Sequence, residues 1–416
     1  TGMFAVKIRQ FLFIVHLIIL GFSESPKPVI LVSFDGMRHD YLEKADTPNF
    51  DAFIKTGVKA ESLIPVFPSY TFPNHYSIAT GTYPGYHMIS GNKFFDKKLK
   101  KEYSLYDRST VEDSNFYKGE PIWVTAEKQG IKTASFFWVG SEAPVNGIHP
   151  SIFKNYDGSI PFDARVDSVV SWLLLPEELK PGLVLLYFHE PDKSGHIHGP
   201  DSQQTIEAIQ EADRVFGKLL HELEKKKLQP NIIVVSDHGM KTIDLKKVII
   251  IDDYIENLDS LTVYGNGPLM QFDFNYKSRK MVQNSLKKLK KIPNTTGYSK
   301  QEFPKIYHFI NRNSGDFILV PKPGWLLFTQ EQLKESNMLN NELSGMHGWI
   351  PEDEDMHGIF FAAGPQIRKN VNVDSFENIA VYGIISTLLQ IIPYSSKQFS
   401  DGAIINEEII RQVINQ

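Results

Sequence analysis

The stretch VILVSFDG, Val29 to Gly36, decides the fold: a run of β-branched and aromatic residues closed by a carboxylate and a glycine. A run this short, bounded by polar residues, reads as a strand buried on both faces. The same grammar recurs at Thr133–Phe137, Leu183–Phe188, Ile232–Val235 and Ile359–Ala363. Between these runs lie helical patterns such as Gln204–Leu228, with Ile206, Ile209, Phe216, Leu219, Leu220 and Leu223 on one face. Apolar strands alternating with helices predict an α/β fold with a mostly parallel central sheet and helices on both faces. In such a sheet, ligands bind beyond the carboxyl ends of the strands.

Working outward, three of those strand ends carry chemistry. Val29–Phe34 runs into Asp35-Gly36. Leu183–Phe188 runs into His189-Glu190-Pro191-Asp192-Lys193-Ser194-Gly195-His196. Ile232–Ser236 runs into Asp237-His238-Gly239. One Asp after a strand is usually a helix cap. An Asp-x3-His set and an Asp-His pair on the same rim ask for more. Crowded carboxylates repel one another, so a cation is their natural neutraliser. Oxygen and nitrogen donors without sulfur suit zinc first, then manganese or magnesium. Two further candidates are His347 in Gly345-Met346-His347-Gly348-Trp349 and Thr71 in Ser69-Tyr70-Thr71-Phe72-Pro73-Asn74-His75. The pattern Tyr76–Gly81 predicts the first turns of a helix. Thr71 is then either its cap or a hydroxyl beside backbone N–H groups and a dipole that favour phosphate.

Composition narrows the chemistry. The chain has 416 residues, 44 Lys+Arg against 49 Asp+Glu, 13 His and no cysteine. The formal net charge of -5 gives no global attraction to nucleic acid or an anionic membrane. Without cysteine there is no disulfide framework, thiolate nucleophile, Cys-ligated zinc or iron–sulfur cluster. From Met3, Lys7 and Arg9 precede the apolar FLFIVHLIILGF of Phe11–Phe22, and then Ser23 to Pro26. This describes a cleaved secretory signal peptide; the alternative is an N-terminal membrane anchor, which ordinarily needs ~20 apolar residues. Export makes Asn294-Thr295-Thr296 a glycosylation sequon. Residues 241–344 break the strand–helix rhythm. Their basic segment Ser278–Lys291 reads as a solvated helix packing Met281, Val282, Leu286 and Leu289, because acidic segments balance it. The expected organisation is a leader over 1–25 and one catalytic domain over 26–416. Its core is 26–240 and 345–416, with an inserted cap over 241–344.

Taken together, Asp35, Thr71-Phe72-Pro73-Asn74-His75, Asn92, Asp192-x3-His196, Asp237-His238-Gly239 and Gly345-x-His347-Gly348 resemble the nucleotide pyrophosphatase/phosphodiesterase family. That family belongs to the alkaline-phosphatase-like superfamily, and the resemblance spans Pro28 to about Asp401. It implies two zinc ions, one on Asp192, His196 and His347, the other on Asp35, Asp237, His238 and the Thr71 oxygen. It implies that Thr71 attacks phosphorus to form a threonyl-nucleotide intermediate, with Asn92 hydrogen-bonded to a phosphoryl oxygen. Phe72 and Tyr156 match the aromatic pair that sandwiches the base. The implied activity is that of a secreted enzyme cleaving extracellular ATP and related nucleotides to nucleoside 5′-monophosphate and pyrophosphate. The alternatives are a phospholipid or choline-phosphodiester hydrolase of the same fold, or a secreted nucleotide-binding protein without catalysis. A nucleotide is the expected partner, with no nucleic acid and, once the leader is removed, no stable membrane partner. Two departures from the family pattern stand out: the missing cysteines, and Ile350-Pro351-Glu352-Asp353-Glu354-Asp355 after Trp349, which predicts an acidic rim. His75, His189, His198 and His357 match no ligand position and read as structural or surface residues.

Overall fold

The computed structural model describes residues 26–255, 258–275, 278–336, 343–394 and 405–415. The leader expected over residues 1–25 lies outside them. The eight strands of the main sheet are β1 (Val29–Phe34), β2 (Val58–Ala60), β3 (Thr133–Phe136), β4 (Ile152–Lys154), β5 (Leu183–Phe188), β6 (Asn231–Val235), β11 (Phe360–Ala363) and β12 (Val371–Val373). Their order is β12-β2-β11-β6-β1-β5-β3-β4. From β6 to β4 every pairing is parallel, and β11 alone runs against its neighbours. The α/β reading with a mostly parallel sheet therefore holds, and each strand legible in the sequence is present within a residue of its expected bounds.

Side-chain alternation sends the two halves of each central strand to different layers. Val29 and Leu31 of β1, with Leu183 and Leu185 of β5, pack under helices α2 (Thr71–Thr80), α3 (Ile122–Lys128) and α8 (Ala380–Leu388). Ile30, Val32 and Phe34, with Val184, Leu186 and Phe188, pack under α1 (Pro48–Lys55), α4 (Phe162–Leu173) and α6 (Gln203–Lys225). Burial on both faces is why these strands read as unbroken apolar runs rather than as alternating ones.

After β6 the chain leaves the main sheet. It forms a separate antiparallel sheet from β7 (Leu261–Tyr264), β8 (Met270–Phe274), β9 (Thr295–Ser299) and β10 (Phe317–Pro321), in the order β7-β8-β10-β9. Helix α7 (Arg279–Leu289) covers it with buried Leu289 and half-buried Leu286, while Met281 is 48% exposed instead of packed. The excursion begins and ends at one place. Lys241 pairs with Met346, and Thr242 with Gly345, in a short antiparallel ribbon. That ribbon returns the chain to the rim of the main sheet one residue before His347. In the loop before β10, Arg312 and Asn313 donate to the fully buried carboxylate of Asp96, which ends a separate two-stranded ribbon of Lys93–Asp96 with Lys101–Ser104.

Candidate metal centre

Asp35 follows β1, α5 (Asp192–His198) follows β5, and Asp237-His238 follow β6, so three adjacent parallel strands deliver their ends to one rim. Gly36 lets them converge. Its φ is +67°, and a Cβ there would stand 2.8 Å from the Cα of Asp192. The backbone N–H of Asp192 donates to Asp35 O at 2.9 Å, and that of Gly36 to Asp237 Oδ1 at 3.1 Å. Two groups result: Asp192, His196 and His347, and Asp35, Asp237 and His238. Within each, the candidate ligand atoms lie within 4.8 Å of one another. The groups abut, because the rings of His238 and His347 stack at 3.5 Å between centroids.

The three imidazoles share one device. The Nδ1 of His196 bonds to Gly345 O at 2.9 Å, that of His238 to Gly239 O at 2.8 Å, and that of His347 to Ser69 O at 2.8 Å. A carbonyl only accepts, so each Nδ1 carries the proton and each Nε2 lone pair faces the site. His196 Nε2 and His347 Nε2 lie 3.1 Å apart, and both approach Asp192 Oδ1, at 3.5 and 3.6 Å.

The electrostatics are unbalanced without a cation. Burial, then the charges of Asp237 and Asp192, push Asp35 well above the usual carboxylate range. Burial works the same way on Asp237, but the flanking His238 and His75 outweigh it and hold that group low. Burial, then His238 and His196, push His347 well below the usual imidazole value. Asp35 Oδ1, Asp192 Oδ1 and Asp237 Oδ2 are buried oxygens with no hydrogen-bond partner. Orphaned carboxylate oxygens beside imidazole lone pairs are the donor set of a metal, and the residues fit one in each group.

Thr71 lies beside the second group, its Oγ1 3.2 Å from His238 Nε2. It is the first residue of α2 and not its cap, which is Tyr70, and the helix starts five residues before the expected Tyr76. The backbone N–H groups expected to cradle phosphate are largely taken or missing. Phe72 N–H donates to Asn92 Oδ1 at 2.9 Å, and Pro73 has none. That bond holds the carbonyl of Asn92 against the residue that follows Thr71. Phe72 packs edge-on to Tyr103 at 6.1 Å. Tyr156 stands 44% exposed on a loop, edge-on to Phe137 at 5.1 Å.

Several contributors were not legible in the sequence. Tyr187, one residue from the end of β5, donates its hydroxyl to Asp35 Oδ2 at 2.6 Å. His75 is structural as expected, fully buried with its Nε2 bonded to Ser33 Oγ, yet its Nδ1 faces both Thr71 O at 3.0 Å and Asp237 Oδ2 at 3.3 Å. No motif spacing marks these residues; the parity of Tyr187 within its strand was the only available signal. The other histidines stay outside the groups. His189 packs on Phe162, His357 is buried between Ser62 and Pro351 O, and His198 is exposed. Two of the four acids of the expected rim, Asp353 and Asp355, are paired with cations of the chain. Lys241 pairs with Asp353 at 3.1 Å and Asp355 at 2.6 Å, and Arg38 reaches Asp355 at 3.3 Å.

Comparison with known proteins bears on this arrangement. The family model for type I phosphodiesterase / nucleotide pyrophosphatase matches residues 29–350. A venom phosphodiesterase of Crotalus durissus collilineatus is 37% identical over 384 residues, covering 90% of this chain and 45% of its own length. Human ectonucleotide pyrophosphatase/phosphodiesterase family member 1 is 36% identical over 387 residues, 89% of this chain and 40% of its own length. The chain thus spans somewhat under half the length of these curated relatives. Among solved structures, murine ectonucleotide pyrophosphatase/phosphodiesterase 5 superposes with a TM-score of 0.84 at 30% identity, covering 93% of this chain and 100% of that one. An inactive threonine-to-alanine variant of the same murine protein, in complex with AMP, matches equally, with a TM-score of 0.84. Among the described residues, no helix is long and apolar enough to cross a membrane.

Proposed function

The chain belongs to the type I phosphodiesterase / nucleotide pyrophosphatase family, and from that premise we propose that it hydrolyses nucleotides such as ATP to a nucleoside 5′-monophosphate and pyrophosphate. We place it outside the cell, as a secreted two-zinc enzyme glycosylated at Asn294. Residues 26–240 and 345–416 are its catalytic core and 241–344 its inserted cap. The observation that carries the reading is the Thr71 hydroxyl, 3.2 Å from His238 at the seam where the two ligand groups meet. Zinc suits both groups, since each offers carboxylate and imidazole donors and no sulfur. When bound, the ions would supply positive charge that favours the ionised Thr71 oxygen and the developing charge on phosphoryl and leaving oxygens.

The remaining work falls to the chain itself. Thr71 Oγ1, its proton released to solvent, bonds to the α-phosphorus as the bond to the pyrophosphate oxygen breaks, giving a threonyl-nucleotide ester. Water then cleaves that ester, returning the proton to Thr71 and releasing the monophosphate. The N-terminus of α2 adds its positive dipole end at the attacked phosphoryl group. Asn92, its carbonyl fixed by Phe72 N–H, offers its NH₂ to a non-bridging oxygen. Phe72 and Tyr156 hold the base by stacking, which tolerates different bases. The murine relative's inactive threonine variant with AMP supports both the nucleophile type and the ligand class.

Product analysis on ATP tests the reading. Equimolar AMP and pyrophosphate are expected. Orthophosphate with ADP would make it a monoester phosphatase, and turnover of choline phosphodiesters with ATP untouched would favour the lipid-type alternative.

A further inference from the structure

We propose that Arg165 is a positioning residue that locks the Tyr156 loop to the metal-ligand rim and so sets selectivity for nucleotides over smaller phosphodiesters. The inference rests on the reading of Tyr156 as a base-stacking ring. Arg165 lies in the first turn of α4 and is fully buried. Its Nη2 has no hydrogen-bond partner, and burial pulls its pKa below the ordinary guanidinium value. A buried cation so poorly compensated is costly, and an apolar side chain would fill the volume at less cost. What an apolar residue cannot do is make two directed bonds at once.

Those bonds join two parts of the site. Arg165 Nε donates to Ile160 O at 3.1 Å, at the end of the loop that carries Tyr156. Arg165 Nη1 donates to Tyr187 O at 2.9 Å, and the hydroxyl of the same Tyr187 holds Asp35 at 2.6 Å. Hydrogen bonds linked through the bodies of Tyr187 and Arg165 therefore run from a candidate metal ligand to the loop of the base-stacking ring. The guanidinium also sits over the Phe137 ring at 5.0 Å, and Phe137 in turn packs against Tyr156 at 5.1 Å. Support thus reaches Tyr156 through the backbone and through a ring. Residues 155–161 belong to no strand, so these contacts, with Glu142 accepting from Tyr156 N–H at 2.9 Å, fix where the ring stands. A lysine would keep the charge but not the planar fork that spans both carbonyls and lies flat on an aromatic face.

The test is a double-mutant cycle read with two substrates, ATP and a small nitrophenyl methyl phosphodiester, on the full chain loaded with metal. Arg165→Lys should lower the ratio of kcat/KM for ATP over the aryl ester about tenfold, the size of a partly lost base–ring stack. The change should fall on KM, with metal content unaltered. In a Tyr156→Ala background the same substitution should lower the ratio no further, because the ring it positions is gone. Equal losses on both substrates, or full additivity in the double variant, would overturn the inference. If Tyr156→Ala itself leaves the ratio unchanged, the base-stacking reading fails instead. Should Arg165→Lys not fold, Gly158→Ala probes the loop from its solvent side, since the new Cβ would stand 3.1 Å from the Tyr156 hydroxyl. It too should lower the ratio, and an unchanged ratio would show that the position of the loop does not set selectivity.

Discussion

Single side chains at the seam between the two ligand groups have separable jobs. Thr71→Ala removes the hydroxyl proposed to attack phosphorus and leaves Asp35, Asp237 and His238 in place. Turnover should fall at least ~10³-fold, as expected when a covalent nucleophile is lost. Zinc content by atomic absorption and AMP binding by calorimetry should stay close to wild type; surviving turnover would reassign the nucleophile. Tyr187→Phe keeps the ring and the carbonyl that Arg165 uses, but removes the 2.6 Å bond to Asp35. Losing such an outer partner ordinarily costs ~10–100-fold in metal affinity. Titration with a competing chelator should show that loss, and equal metal affinity would mean that Asp35 needs no help. The candidate ligands were legible because Asp35, Asp192 and Asp237 follow obvious strands. Tyr187 was not, because a tyrosine inside an apolar strand looks like core until its hydroxyl is seen to meet a carboxylate.

Helix α2 shows what an element's pattern can hide. Its apolar signal begins at Tyr76, yet the helix begins at Thr71. Pro73 reads as a breaker, but in a first turn its missing N–H is one that no intrahelical bond would use. The same helix is anchored by His87, in the turn Pro84–His87, whose Nε2 bonds to Ser77 Oγ at 2.8 Å while its Nδ1 accepts from Ile89 N at 3.2 Å. Burial lowers its pKa to about 3. An unfolded histidine titrates near 6.5, so between these values the unfolded chain holds the extra proton and stability rises with pH. Falling through that window costs about 1.4 kcal/mol per pH unit from this residue. His87→Gln should flatten the thermal-melting profile between pH 6.5 and 4 while lowering Tm at pH 8. Parallel profiles for the two proteins would mean that His87 charges without unfolding. Helix α7 makes a smaller point: its basic face is solvated as expected, but Met281 joins that face because only Leu286 and Leu289 reach the sheet beneath.

At the scale of the whole molecule, the absence of cysteine leaves packing, together with the metal proposed for the two groups, to hold the chain together. Candidate ligands as distant as His196 and His347, 151 apart in sequence, converge on one rim. A metal held there would bind the folded state alone, adding stability that grows with its occupancy. Chelation should therefore lower Tm by several degrees in calorimetry along with activity, and a thiol reductant should change neither. An unchanged Tm after complete metal removal would place the stability in the apolar layers alone. The sequence by itself determined five of the eight strands of the main sheet, its mostly parallel class, and which carboxylates and imidazoles stand at strand ends. Those are local properties, written in periodicity and in the residue that follows each run. Only the tertiary structure decided that the Lys241–Thr242 and Gly345–Met346 ribbon brings His347 back beside His238, that Asn92 consumes a helix N–H, and that Arg165 ties the Tyr156 loop to Tyr187. These depend on pairings between segments far apart in the chain, whose energies come from packing and directed hydrogen bonds that no single window of sequence contains.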